Sequence, residues 1–283
     1  MKLAVTGILR AREDAPLVFR GEYKDIIPKA AEIGYDAMEL HIHDSLEVDR
    51  PKLKLIFDEN GMKLSSIGTG SAYAQDGLNL ASDNPNVRKR AIKRILDHIV
   101  TAKDYDAVVI IGLIKGLVSE CRNLNSYNLN LKHSLTECLS IAEEKKVILG
   151  LEILNRYESE NLNSIEEGLA FINEMGSDYL QLHLDTYHMN IEERNCAESI
   201  YKAKGKIGHV HIADSDRWYA GHGHYDFKET IKALKEVGYE RALSVESFQY
   251  PTPEKSAKYS YEYLKGILDS INLAGIPHLL RWG

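Results

Sequence analysis

The sequence predicts an α/β protein, a single-domain (β/α)8 barrel over residues 1–283, on three observations. Strand-like runs and helical patterns alternate about eight times; a helix, glycine, strand unit recurs; and no linker interrupts the series. Alternation of this kind implies parallel strands joined by helical crossovers, and eight such units close naturally into a barrel.

The recurring unit occurs as AAEIGYDAMELHI (30–42), FDENGMKLSSIG (57–68), NEMGSDYLQLHLD (173–185) and KEVGYERALSVES (235–247). In each, the glycine stands where a helix C-cap needs positive φ, and the β-rich run after it cannot continue the helix. Between these units lie LAVTGI (3–8), AVVIIGLI (107–114), KVILGLEI (146–153) and IGHVHIA (207–213), which complete about eight strands. The rival is a doubly wound sheet with a nucleotide site. GTGSAY (68–73) begins like its glycine fingerprint but lacks the third glycine, and is read as a loop.

Composition narrows the function. An apolar share of 44% supplies a core, and a net charge of -7 argues against a phosphate-binding surface, so no nucleic-acid partner is expected. The longest apolar run, Ala107 to Ile114, falls far short of the roughly 18 residues of a membrane span. Cys121, Cys138 and Cys196 show no C-x-x-C spacing, and MKLAVTGILRARED lacks the long apolar region of a secretory signal. A cytoplasmic protein with free thiols is expected.

In such barrels chemistry sits at the C-terminal ends of the strands. The last polar side chains there are Glu152 (LGLEIL), Asp185 (LQLHLD), His211 (GHVHIA) and Glu246 (LSVES). Parity sets their direction: Leu180, Leu182 and Leu184 share one face, leaving His183 and Asp185 on the other, and the same alternation turns Glu152, His209, His211 and Glu246 inward. Spacings of about 33, 26 and 35 residues match one βα unit each, so the four converge on one rim. Three carboxylates together repel unless protonated or neutralised. With one imidazole they suit one hard or borderline divalent ion, Mn²⁺, Mg²⁺, Co²⁺ or Zn²⁺, with positions left for substrate oxygens.

Four blocks carry a family resemblance: LEILNRYESENLNS (151–164), HLDTYHMNIEE (183–193), HVHIADSDRWYAGHGHYDF (209–227) and SVESF (244–248). They resemble the sugar isomerase/epimerase superfamily, specifically ketose 3-epimerases of the D-tagatose, D-allulose and L-ribulose type on a xylose-isomerase-like TIM barrel. IGTGSAYAQDGL (67–78) and VVIIGLIKG (108–116) look closest to a 5-keto-L-gluconate epimerase branch, which makes D-tagaturonate. The resemblance implies metal ligands at Glu152, Asp185, His211 and Glu246, an acid/base pair at Glu152 and Glu246, and substrate-oxygen contacts at Glu158, His188 and Arg217. It also implies manganese first among the candidate ions and a free ketose or keto sugar acid as substrate. Ile153, Asp216 and Tyr219-Ala220 depart from the pattern without touching a ligand, and bear on loop shape and substrate preference.

Such chemistry inverts a carbinol carbon beside a ketone through an enediolate, with two carboxylates on opposite sides as base and acid. The alternatives are an aldose–ketose isomerase using the same site, an apurinic endonuclease, and a sugar-binding barrel without catalysis. His183 and His209 are expected to support the ligands by hydrogen bonding, and His222 and His224 to be loop residues. His41 and His43 fit the substrate end or a solvated loop equally. Lys115 and Arg156 could meet a substrate carboxylate, with surface ion pairs favoured for both. The apolar tail from Ile276 to Gly283 suggests a homo-oligomer, a dimer or tetramer.

Overall fold

The computed structural model describes residues 1–274. Eight parallel strands form a closed barrel: β1 (Lys2–Ile8), β2 (Ala37–His41), β3 (Lys63–Gly68), β4 (Val108–Ile111), β5 (Leu149–Glu152), β6 (Leu180–Asp185), β7 (Ile207–Ile212) and β8 (Ala242–Val245). Closure is made by β8 against β1, with Leu3 opposite Leu243 and Val5 opposite Val245. Because pairing with β8 stops at Val5, the far end of β1 is left with an unpaired edge. The two-residue strand Phe19–Arg20 covers it, pairing with Gly7 and Ile8. Two residues carry no readable alternation, so this strand has no counterpart in the sequence reading.

Helices α1 (Tyr23–Ile33), α2 (Arg50–Glu59), α3 (Pro85–Lys103), α4 (Leu124–Lys145), α5 (Ile165–Met175), α6 (Cys196–Lys202), α7 (Phe227–Glu236) and α8 (Pro253–Ala274) form the outer layer. The four glycines of the recurring unit, Gly34, Gly61, Gly176 and Gly238, all have positive φ, the geometry that ends a helix and releases the chain into a strand. Leu180, Leu182 and Leu184 are buried in the layer between sheet and helices. Two further short helices, Gly70–Asp76 and Thr186–Glu192, follow β3 and β6 directly. The first corrects the reading of GTGSAY as a loop: Gly70 to Tyr73 are helical, closed by Gly77 at φ 63.

Two register shifts aim side chains into the barrel. Ser65 is skipped so that Glu39 faces Ser66 across β2 and β3, and Gly208 is skipped so that His183 faces His209 across β6 and β7. All three cysteines are free, and no helix among the described residues is long and apolar enough to cross a membrane. The tail from Ile276, on which the expected homo-oligomer rests, lies outside the described residues.

One buried group makes the fold acid-sensitive. His98 of α3 is fully buried, with Nδ1 2.6 Å from Ser45 Oγ and Nε2 unpartnered. Burial, helped by the Arg94 charge, pulls its pKa down to about 3 from 6.5. The folded ring therefore stays neutral while the unfolded ring takes up a proton below pH 6.5, so stability falls as pH drops through that value. The loss at pH 5 is about 2 kcal/mol. Urea midpoints for His98→Gln should fall less steeply between pH 6.5 and 5 than those of the parent. Equal slopes would refute this.

Candidate active site

Glu152 ends β5, Asp185 ends β6, His211 is the penultimate residue of β7, and Glu246 follows β8 by one residue. The barrel brings one donor atom from each to within 4.8 Å of the others, and all four side chains are buried. Above them opens a cavity of about 410 Å³ lined by Glu152, His211, Glu246, His41, Glu158 and Arg217, among others. Missing side chains shape its wall. A Cβ on Gly112, just past β4, would overlap Glu152 Oε2, and one on Gly68 would lie 2.6 Å from three atoms of the His41 ring.

Two atoms in this group have no hydrogen-bond partner although buried: Asp185 Oδ2 and His211 Nδ1. Unpaired buried acceptors are costly, and a cation is what a carboxylate and an imidazole lone pair can share. Asp185 Oδ2 lies 3.6 Å from His188 Nε2 and 3.8 Å from Arg217 Nη2, and His211 Nδ1 lies 3.4 Å from Glu246 and 3.8 Å from Glu152. The donor set therefore fits a divalent ion.

The carboxylates do not titrate alike. Burial pushes Glu152 up to about 8, against the pull of His211 and Lys115, and Asp185 up to about 6, against Arg217 and His211. Glu246 feels the same burial, but His211, Arg217 and His41 outweigh it and hold it at about 2. Burial opposes charge on His211, yet the Glu39 and Glu246 carboxylates drive its pKa well above the usual value. Glutamates at one rim are thus pushed apart, one toward proton donor and one toward base. A divalent cation among them would return Glu152 and Asp185 to carboxylates.

The expected substrate contacts adjoin this group. Arg217 is buried, with Nη2 3.1 Å from Glu246 Oε2 and Nη1 3.1 Å from Glu158 Oε1, and its guanidinium lies 4.6 Å over the Tyr187 ring. Its backbone is strained at φ 62, pinned by its N–H on the Asp214 carbonyl at 2.8 Å and its carbonyl under the Phe248 N–H at 2.9 Å. His188 Nδ1 accepts from the Asn155 backbone N–H at 3.3 Å, so the ring's proton is on Nε2, the side facing Arg217 and Asp185. Burial and the Arg217 and Lys115 charges depress its pKa well below normal, which keeps it a neutral donor.

Other expectations fare unevenly. Arg156 pairs with Glu192 at 2.7 Å on the surface, the ion pair favoured for it. Lys115 corrects the matching expectation: it is fully buried, and Nζ donates to the Glu152 backbone carbonyl at 3.2 Å. It ends a tight turn after β4 that packs against the Gly70–Asp76 helix, and burial brings its pKa down to about 8. His209 hydrogen-bonds to Glu39 and Ser66, whereas both His183 nitrogens are unpartnered and its ring packs edge-on to His211 at 4.0 Å. His222 pairs with Asp216 and His224 with Ser215 in the loop after β7. His41 lines the cavity, while His43 pairs with Asp76 at 3.0 Å. Sequence reasoning missed Glu39 and Asn155. Glu39 has the same inward parity as His41 in AMELH, a signal that a search for strand-final residues passes over.

Residues 27–267 match the family described as xylose isomerase-like TIM barrel. The chain belongs to this family. Among its curated relatives, the L-ribulose 3-epimerase of Mesorhizobium japonicum is 34% identical over 236 residues, covering 81% of this chain and 76% of the relative. The D-psicose 3-epimerase of Enterocloster bolteae is 32% identical over 236 residues, covering 80% and 77%. A shorter match, 33% identical over 119 residues and covering 42% of this chain and 45% of the relative, is to the 3-dehydro-D-guloside 4-epimerase of Escherichia coli K12. A solved L-ribulose 3-epimerase matches with a TM-score of 0.80 at 28% identity, covering 98% of this chain and 99% of that one. Epimerisation at sugar carbons is common to these relatives' names.

Proposed function

We propose that the chain is a sugar epimerase that inverts the carbinol carbon beside a ketone, using Glu152 and Glu246 as its acid/base pair. The observation that carries this is the convergence of Glu152, Asp185, His211 and Glu246, three of which line the cavity, with Asp185 Oδ2 and His211 Nδ1 buried and without a hydrogen-bond partner. These four would hold one divalent ion, manganese first among the candidates. When bound, such an ion supplies Lewis-acid stabilisation of the negative charge that develops on the substrate's oxygens.

The chain's own groups do the rest. One glutamate removes the C–H proton from one face, and the other returns a proton to the opposite face, the roles exchanging for the reverse reaction. Arg217 and neutral His188 donate hydrogen bonds to substrate oxygens, and Glu158, fixed by Arg217 and Asn155, accepts from a hydroxyl. Lys115 anchors the Glu152 backbone carbonyl and so fixes the strand end that carries the carboxyl.

An uncharged ketose suits the cavity better than a sugar acid. Two guanidiniums line the cavity, and both are already paired, Arg12 with Asp14 at 2.9 Å and Arg217 with Glu158 and Glu246 at 3.1 Å, while the buried Lys115 Nζ is engaged by the Glu152 backbone carbonyl. Free thiols fit the reducing cytoplasm. Incubation of the metal-loaded protein with free ketoses, ketouronates and ketose phosphates in D₂O tests the proposal. A free ketose should gain deuterium at the carbon next to the ketone as its epimer forms. Epimer without solvent-derived hydrogen in a single turnover would sink the two-base reading.

A further inference from the structure

We infer that Glu39 is a positioning residue that fixes which nitrogen of His211 faces the ion, an inference that rests on the ligand set proposed above. Glu39 lies mid-strand in β2, inside the barrel, with no exposed surface. A carboxylate buried so deeply persists only when its lone pairs are filled. Here four donors fill them. Ser66 Oγ donates at 2.7 Å, His209 Nε2 at 2.8 Å, His41 Nε2 at 2.9 Å and His211 Nε2 at 2.9 Å.

The three imidazoles all turn the same nitrogen, Nε2, to one carboxylate. An ionised carboxylate only accepts, so each Nε2 must carry a proton, and in a neutral ring that leaves Nδ1 as the lone-pair nitrogen. For His211 this is the nitrogen that faces Glu152 and Glu246 and has no hydrogen-bond partner. Glu39 therefore selects the tautomer a metal ligand needs and raises the basicity of its free nitrogen. The arrangement is built by strand register: the shift between Met38 and Glu39 sets Glu39 opposite Ser66. Through His41, which lines the cavity, the same carboxylate ties the ligand shell to the substrate wall.

Glu39→Gln keeps the volume but removes the charge, and its amide N–H₂ meets an imidazole N–H. Mn²⁺ affinity, measured by chelator competition on folded protein, should weaken by about 10–100-fold. Ser66→Ala, which leaves the carboxylate and removes one donor, should weaken it less. Mn²⁺ binding by Glu39→Gln within twofold of the parent overturns the inference. If that variant does not fold, ring-¹⁵N histidine spectra of the unmodified chain with Zn²⁺, assigned against His211→Asn, decide the matter. His211 Nε2 should keep its proton with and without Zn²⁺ while Nδ1 shifts on addition. A metal-shifted or deprotonated Nε2 is the contrary result. Failure of the parent to bind Mn²⁺ at all would remove the ligand set instead, and a deprotonated Nε2 in its metal-free spectrum would still overturn the role of Glu39.

Discussion

Glu246→Gln should lower net epimerisation by about 10⁴-fold, the upper range for loss of a positioned acid or base, while leaving half of the exchange chemistry intact. In a two-base site each glutamate handles the hydrogen of one epimer. In this variant Glu152 should still remove and return the hydrogen that faces it. One epimer then exchanges with D₂O without being converted, and Glu152→Gln should show the mirror behaviour with the other epimer. The glutamine amide keeps an oxygen donor for the ion, so both variants are measured at saturating Mn²⁺ by NMR of each pure epimer. Exchange of both epimers in either variant would show that a single group serves both faces.

Removal of divalent ions should abolish turnover and lower Tm by about 5 °C, the effect of losing a ligand present at about 100 times its Kd from a chain of this size. Binding should also be proton-linked. In the metal-free protein Glu152 is raised to about 8, Asp185 to about 6, and His211 above its usual value. An ion needs all three unprotonated, so affinity should rise as pH increases from 6 to 8, and near pH 7 binding should release more than one proton. Titration calorimetry in buffers of different ionisation enthalpy reads that number directly. Binding without proton release and with no pH dependence would contradict the charge arrangement described above.

The barrel was legible because parallel strands bury one face against helices: the leucines of LQLHLD mark the outer face, and everything between them must point in. The same parity located Glu152, Asp185, His211 and Glu246 at one level. Glu39 escaped because it is not strand-final, and a charged residue mid-strand becomes intelligible only once His209 and His211 of β7 and His41 of its own strand are seen to converge on it. Lys115 misled for a different reason. In GLIKG nothing local reveals burial, which depends on how the turn after β4 packs against the Gly70–Asp76 helix and reaches the Glu152 carbonyl. The edge strand Phe19–Arg20 answers a mismatch in strand lengths that is a property of the closed barrel, not of any segment.

Asp185 has a divided carboxylate. Oδ1 accepts from the Tyr187 N–H at 2.8 Å, capping the short helix Thr186–Glu192, while Oδ2 is buried beside the other three converging side chains without a hydrogen-bond partner. One oxygen is thus engaged by the backbone, so an ion held as proposed would meet Asp185 chiefly through the other, leaving more positions for substrate oxygens. The helix it starts also carries His188. On the proposed ligand set, metal occupancy and the placement of the His188 imidazole would therefore be linked through one side chain, and tightening either end should stiffen the other.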